Sequence, residues 1–150
     1  MNSADSNLCS ITYTSAAVRL PSRDELDRLM VQARARNRRE SITGVLLYCN
    51  GSFLQCIEGP RAGLNRVYAS ICEDGRHHRI SELVREPVTR REYSEWSMAL
   101  CFIGGDPRTQ CDEILLARLS ELDDTTSASR RLASAFWVTG MGVKYSRALA

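Results

Sequence analysis

Hydrophobic and polar positions along the chain follow two periods, and the switches between them mark out the elements. In LCSITYTS (8–15), Ile11, Tyr13 and Ser15 share one face and Ser10, Thr12 and Thr14 the other, the period-two pattern of a strand. LPSRDELDRLMVQARARN (20–37) changes to helical spacing: Leu26, Leu29, Met30 and Ala33 form one stripe, and Asn37 continues it four residues on. Ser22 is placed to cap this helix, with Glu25 three residues later and Asp24 in the positively polarised first turn. Two apolar runs, 42–48 and 53–58, flank Cys49-Asn50-Gly51-Ser52 and predict a hairpin. Gly59-Pro60 opens a second helix with Leu64, Val67, Tyr68 and Ile71 as its stripe, ending at Asp74-Gly75, where glycine suits a left-handed cap. RISELVREPV (79–88) predicts a fourth strand, with Pro87 at a sheet margin. EWSMALCFIG (95–104) predicts a fifth, with Trp96, Met98 and Leu100 on one face.

The order is therefore β-α-β-β-α-β-β. Laying both helices on one face of a mixed five-stranded sheet buries both stripes, which predicts an α+β, ferredoxin-like sandwich. After a break at Gly104-Gly105-Asp106-Pro107, CDEILLARLSEL and SASRRLASAFWVTG read as two short amphipathic helices. Neither is long enough for a domain of its own, so each is expected on the open face of the sheet or on another subunit.

Composition narrows the function. The 150-residue chain carries a formal net charge of +2, too small an excess for a phosphate-tracking groove, so no nucleic-acid partner is expected. Its longest apolar run, Val45 to Cys49, is far short of the ~20 residues that span a bilayer, and no secretory signal is visible at the N-terminus. Six cysteines without a C-x-x-C pair read as buried thiols of a reducing compartment, and the expected location is the cytoplasm. No phosphate-binding glycine loop and no zinc motif is present; adjacent His77 and His78 point apart on an extended chain, and no metal site is expected. The cluster Arg34, Arg36, Arg38, Arg39 reads as a solvated helix end complementing the dipole, or as help for an anionic ligand tail.

Three polar residues resist the core pattern. Gln55 sits mid-strand between Phe53 and Ile57, Asn37 ends an apolar stripe, and Tyr13 shares a face with Ile11. A buried polar group without a partner costs about 1–3 kcal/mol. These residues therefore either satisfy one another or meet a planar ligand with donors and acceptors on its edge.

At these residues the chain resembles the BLUF family of flavin-using blue-light sensors. ITYTS, RNRRESITGVLLYCNGSFLQCIEGP, ICEDGRHHRI and YSEWSM carry the resemblance, in order and with compatible spacing, from about Leu8 to Phe102. The resemblance implies that Tyr13 is the photoactive tyrosine and Gln55 the glutamine between it and the flavin, and that Asn37 bonds the edge of the ring. Trp96 and Met98 match the strand positions that relay the signal, Leu29, Phe53 and Ile71 the apolar walls, and Asp74, Arg76 and His77 the ribityl side. Two positions depart from the family pattern, Arg36 where many members have asparagine and Ala33 where serine is frequent. The implied cofactor is FAD, with FMN as the alternative. The implied chemistry is light-driven electron and proton transfer from Tyr13, followed by recombination that leaves Gln55 rotated or tautomerised.

The resemblance also implies a division into a photosensor domain (1–104) and a helical extension for output or oligomerisation (105–150). The short chain resembles stand-alone members that act on a separate effector protein, often as dimers or larger rings, and are not enzymes. Residues 106–140 are expected to carry that contact. Two other functions remain open on the residues alone: a cofactor-free adaptor domain and a small ferredoxin-like acyl-phosphate hydrolase.

Overall fold

A computed structural model describes residues 7–75, 77–103, 113–123 and 125–149. Five strands and four helices follow in the order β1 (Leu8–Ala17), α1 (Arg23–Arg39), β2 (Thr43–Cys49), β3 (Ser52–Pro60), α2 (Arg61–Glu73), β4 (His77–Pro87), β5 (Ala99–Ile103), α3 (Glu113–Ser120) and α4 (Ala128–Leu149). The strands form one sheet in the order β4-β1-β3-β2-β5, antiparallel throughout except for the parallel pair β2–β5. This is the α+β sandwich expected from the pattern.

Both faces of the sheet are covered. On one face Ile11, Tyr13, Leu46, Tyr48, Phe53 and Ile57 pack against Leu26, Met30 and Ala33 of α1 and Leu64, Val67 and Ile71 of α2. On the other, Val45, Leu47, Leu54 and Cys56 pack against Leu115 and Leu119 of α3 and Ala133 of α4. Burial on both sides explains why the central strands read as nearly continuous apolar runs rather than alternating ones. The C-terminal helices thus take the open face of the sheet.

Local signals set the connections. The Ser22 hydroxyl accepts the Glu25 N–H at 3.1 Å and starts α1. Asn50 (φ 49°) and Gly51 (φ 86°) turn β2 into β3, the two-residue hairpin that needs positive φ at both positions. β4 is an edge strand, which accommodates Pro87 at its end.

Four expectations are corrected. Gly75 is not in the left-handed region; α2 ends on Asp74, which is extended with φ −76°. β5 begins at Ala99 rather than near Glu95. The preceding loop has its carbonyls taken by other partners: Gly44 N–H donates to Trp96 O (3.1 Å), Asn37 Nδ2 to Ser97 O (2.7 Å) and Arg34 Nε to Met98 O (2.9 Å). Helix α4 continues to Leu149 through Gly140 and Gly142, because glycine weakens a helix by only about 1 kcal/mol and does not end it. Among the described cysteines, Cys9, Cys49, Cys56 and Cys72 are thiols, whereas Cys101 is disulfide-bonded.

Candidate functional site

A cleft of about 460 Å³ lies between α1 and α2 above the centre of the sheet. Its floor comes from the strands: Tyr13 and Ser15 of β1, Leu46 of β2, and Phe53 and Gln55 of β3. Leu29, Gln32, Ala33 and Arg36 of α1 form one wall, and Val67, Ser70 and Ile71 of α2 the other. The rim carries Arg39, Glu40, Arg66 and Asp74. The size suits a drug-sized or cofactor-sized ligand, and apolar walls with a few fixed polar groups are the usual construction of such sites.

At the floor, Tyr13 and Gln55 are direct cross-strand partners, and the Tyr13 hydroxyl donates to Gln55 Oε1. Gln55 Nε2 donates in turn to Met98 Sδ at 3.5 Å. A carboxamide has two N–H donors and two acceptor lone pairs, so these bonds leave capacity for a ligand edge. Tyr13 is 2% exposed, and burial pushes its phenol well above the usual tyrosine range; the Arg36 cation opposes that rise. The hydroxyl therefore stays protonated and remains a donor. Tyr68 meets the Tyr13 ring edge-on, with centroids 5.6 Å apart.

Seven of the predicted residues are brought to this side of the sheet. Tyr13, Gln55, Leu29, Phe53, Ile71 and Asp74 line the cleft, and Met98 lies under Gln55. Asn37 is fully buried, as its stripe position requires, but lies outside the cleft lining; besides holding Ser97 O it accepts from Arg36 Nε at 3.4 Å. Trp96 is a correction. It packs into the cluster on the opposite face, with the Arg118 guanidinium 5.4 Å above its ring, because the irregular loop before β5 breaks the strand alternation that would have aligned it with Met98. Arg76 and the side chain of His77 lie outside the described residues.

Sequence reasoning missed Gln32, Glu40, Leu46, Arg66 and Ser70. For Glu40, Arg66 and Ser70 the signal was helical spacing: Leu29, Ala33, Arg36 and Glu40 recur at i, i+4, i+7 and i+11, and Arg66, Ser70 and Asp74 at i, i+4 and i+8. Arg66 NH2 meets Glu40 Oε2 at 2.8 Å, tying α2 to the end of α1 and holding the Glu40 carboxyl below the usual range. Within the basic cluster the roles divide: Arg34 is committed to Met98 O, while Arg36 and Arg39 face the cleft.

The arrangement defines a small α+β ligand-binding domain with a phenol–carboxamide pair at the floor of its cleft. The chain belongs to the BLUF family, sensors of blue light using FAD, whose model matches residues 8–99. It is 37% identical over 133 residues to the photoactivated adenylate cyclase subunit beta of Euglena longa, covering 88% of this chain and 14% of that one. The chain spans the same 14% of the corresponding Euglena gracilis subunit. Among solved structures, the BLUF protein BlrB in its dark state superposes with a TM-score of 0.66 at 29% identity, over 91% of this chain and 98% of that one. Klebsiella pneumoniae BlrP1 with FMN and cyclic diGMP superposes with a TM-score of 0.71 at 28% identity, over 89% and 35%. Membership makes the matched segment a flavin-binding light sensor rather than an enzyme, and sets aside the adaptor and hydrolase readings for it. Among the described residues, no helix is long and apolar enough to cross a membrane.

Proposed function

We propose that the cleft holds a flavin non-covalently over the Tyr13–Gln55 pair and that light changes the hydrogen bonding of that pair. The observation that carries this reading is the Tyr13 hydroxyl bonded to Gln55 Oε1 at the floor of a cleft of about 460 Å³. When bound, the flavin supplies an excited state able to take an electron and a proton. Tyr13 provides both, and its neutral, desolvated hydroxyl is the form that can do so. Gln55 bridges phenol and ligand edge, and exchanging its donor and acceptor ends reverses the sense of its bond to Tyr13 and breaks its bond to the Met98 sulfur, which can only accept. Leu29, Phe53 and Ile71 exclude water from the ring. Asn37, through Ser97 O, orders the loop that carries Met98.

The charged lining suits a phosphorylated tail: Arg36 of the α1 wall with Arg39 and Arg66 of the rim outnumber Glu40 and Asp74. FAD is the proposed cofactor over FMN, with Asp74, Arg76 and His77 on the ribityl side. Residues 1–104 form the sensor and 105–150 the output segment, which contacts a separate effector in a homo-oligomeric, cytoplasmic assembly. Purified protein should be yellow, release FAD on denaturation, and show a flavin absorption that moves reversibly to the red under blue light. Colourless protein that takes up no flavin would overturn the reading. Light-dependent capture of an effector that survives deletion of 106–140 would overturn the output assignment alone.

A further inference from the structure

The strand residues next to Tyr13 and Gln55 face the opposite side of the sheet, and there they meet a single residue of α4. Thr12 and Cys56 are cross-strand partners, one rung from the Tyr13–Gln55 pair. Thr12 Oγ1 and the Cys56 thiol each lie 2.6 Å from the Ser129 hydroxyl. All three groups are at most 3% exposed, inside a layer otherwise built from Leu54, Leu115, Leu119 and Ala133. Ser129 stands in the first turn of α4.

From this geometry we infer that Ser129 is the positioning residue through which α4 follows the Tyr13–Gln55 pair, an inference that rests on the photosensor reading of that pair. The hydroxyl bonds both strands at once, so its position depends on how β1 and β3 sit relative to each other at the neighbouring rung. Its single oxygen lies within bonding distance of both groups, so it cannot keep both bonds when Thr12 and Cys56 move apart. A buried polar group that loses its bond in an apolar layer is destabilised, and rotation or lifting of the α4 start relieves it. Burial also keeps the Cys56 thiol protonated, up to about 12, so it remains available as a donor. The route therefore crosses the sheet directly beneath the photoactive pair, independent of β5.

The test uses the full chain loaded with flavin, in the dark and under blue light. Infrared difference spectra read the thiol S–H stretch, which is clear of other protein bands, and Cys56→Ala assigns the Cys56 contribution. Light is expected to shift that band together with the flavin absorption. Hydrogen exchange at the amides of residues 128–137 should rise with light. Ser129→Ala should keep the flavin red-shift while lowering the light-minus-dark difference in both readouts about fivefold, the lower end of ordinary coupling between sites. Where Cys56→Ala does not fold, Thr12→Val, close in shape, should displace the same band. A normal red-shift with an unmoved Cys56 band and unchanged α4 exchange overturns the inference and leaves the photosensor reading standing. A Ser129→Ala protein whose exchange rises equally in dark and light, with the wild-type difference retained, makes the bonds structural only and also overturns it. If wild-type protein shows no red-shift, the photosensor reading fails and the inference fails with it.

Discussion

Tyr13 and Gln55 face each other across the β1–β3 ladder, and the phenol donates to the carboxamide oxygen in a floor closed to water. Each explains the other's burial. A lone Gln55 mid-strand would lose about 1–3 kcal/mol for its unsatisfied amide, and Tyr13 would lose a similar amount for its hydroxyl. Paired, they are tolerated at the centre of an apolar face, and they point one polar edge into a cleft that can hold a ring.

Replacing either member should separate binding from signalling. Tyr13→Phe keeps the ring and the Tyr68 contact, so flavin uptake should persist, with stability lower by about 1 kcal/mol. Its light-induced red-shift should vanish. Gln55→Leu should likewise bind flavin and lose the shift. Absorption spectra before and after blue light check both; a normal photocycle in Tyr13→Phe would sink the proposed mechanism.

The two predicted relay residues should now behave differently. Met98→Leu nearly conserves volume, costing under about 1.5 kcal/mol, but removes the sulfur that accepts from Gln55 Nε2, so the size or position of the red-shift should change. Trp96→Phe acts on the other face and should leave the flavin spectrum untouched, costing about 1 kcal/mol through weaker stacking under Arg118. A silent Met98→Leu beside a spectrally altered Trp96→Phe would reverse the assignment.

This contrast shows where sequence reasoning stops. The hairpin, the Ser22 cap and both helix stripes were legible because each depends on neighbours within a few residues, and Tyr13 with Gln55 stood out because their polarity broke a local period. The start of β5 was not legible, since Asn37, Arg34 and Gly44 claim the carbonyls and so take residues 96–98 out of the ladder. Trp96 left its expected face for the same reason. Glu40 and Arg66, 26 residues apart in sequence, tie the end of α1 to α2, and no periodicity announces that they pair. Thr12 and Cys56 looked like ordinary strand positions until α4 supplied Ser129.

Gly44 lets β2 lie close against β3. A Cβ at this position would stand 2.2 Å from the backbone oxygen of Cys56, and backbone cannot rotate away as a side chain can. Gly44→Ala should therefore cost about 2–4 kcal/mol, read as a fall in the urea midpoint. Because Cys56 directly follows Gln55, flavin affinity should fall too. A variant with wild-type stability would mean the strands separate more easily than this packing allows.

Glu58 gives the domain a pH dependence near neutrality. Its buried carboxylate accepts the backbone N–H of Glu92 at 2.8 Å and of Tyr93 at 2.7 Å, fastening the loop that leads to Met98. Burial pushes its pKa up to about 7 from the ordinary 4.5, against the opposing pull of those N–H groups and of Arg91. Between these values the folded protein holds a proton that the unfolded chain has released, so folding stability falls as pH rises. The contribution is complete below 4.5 and is lost as pH passes through about 7, in total on the order of 3 kcal/mol. Glu58→Gln cannot ionise and should show a flatter stability profile across that window, measured by urea unfolding at pH 4.5, 5.5, 7 and 8. Parallel profiles for the two proteins would show that Glu58 ionises at its ordinary value, with the loop N–H bonds offsetting its burial.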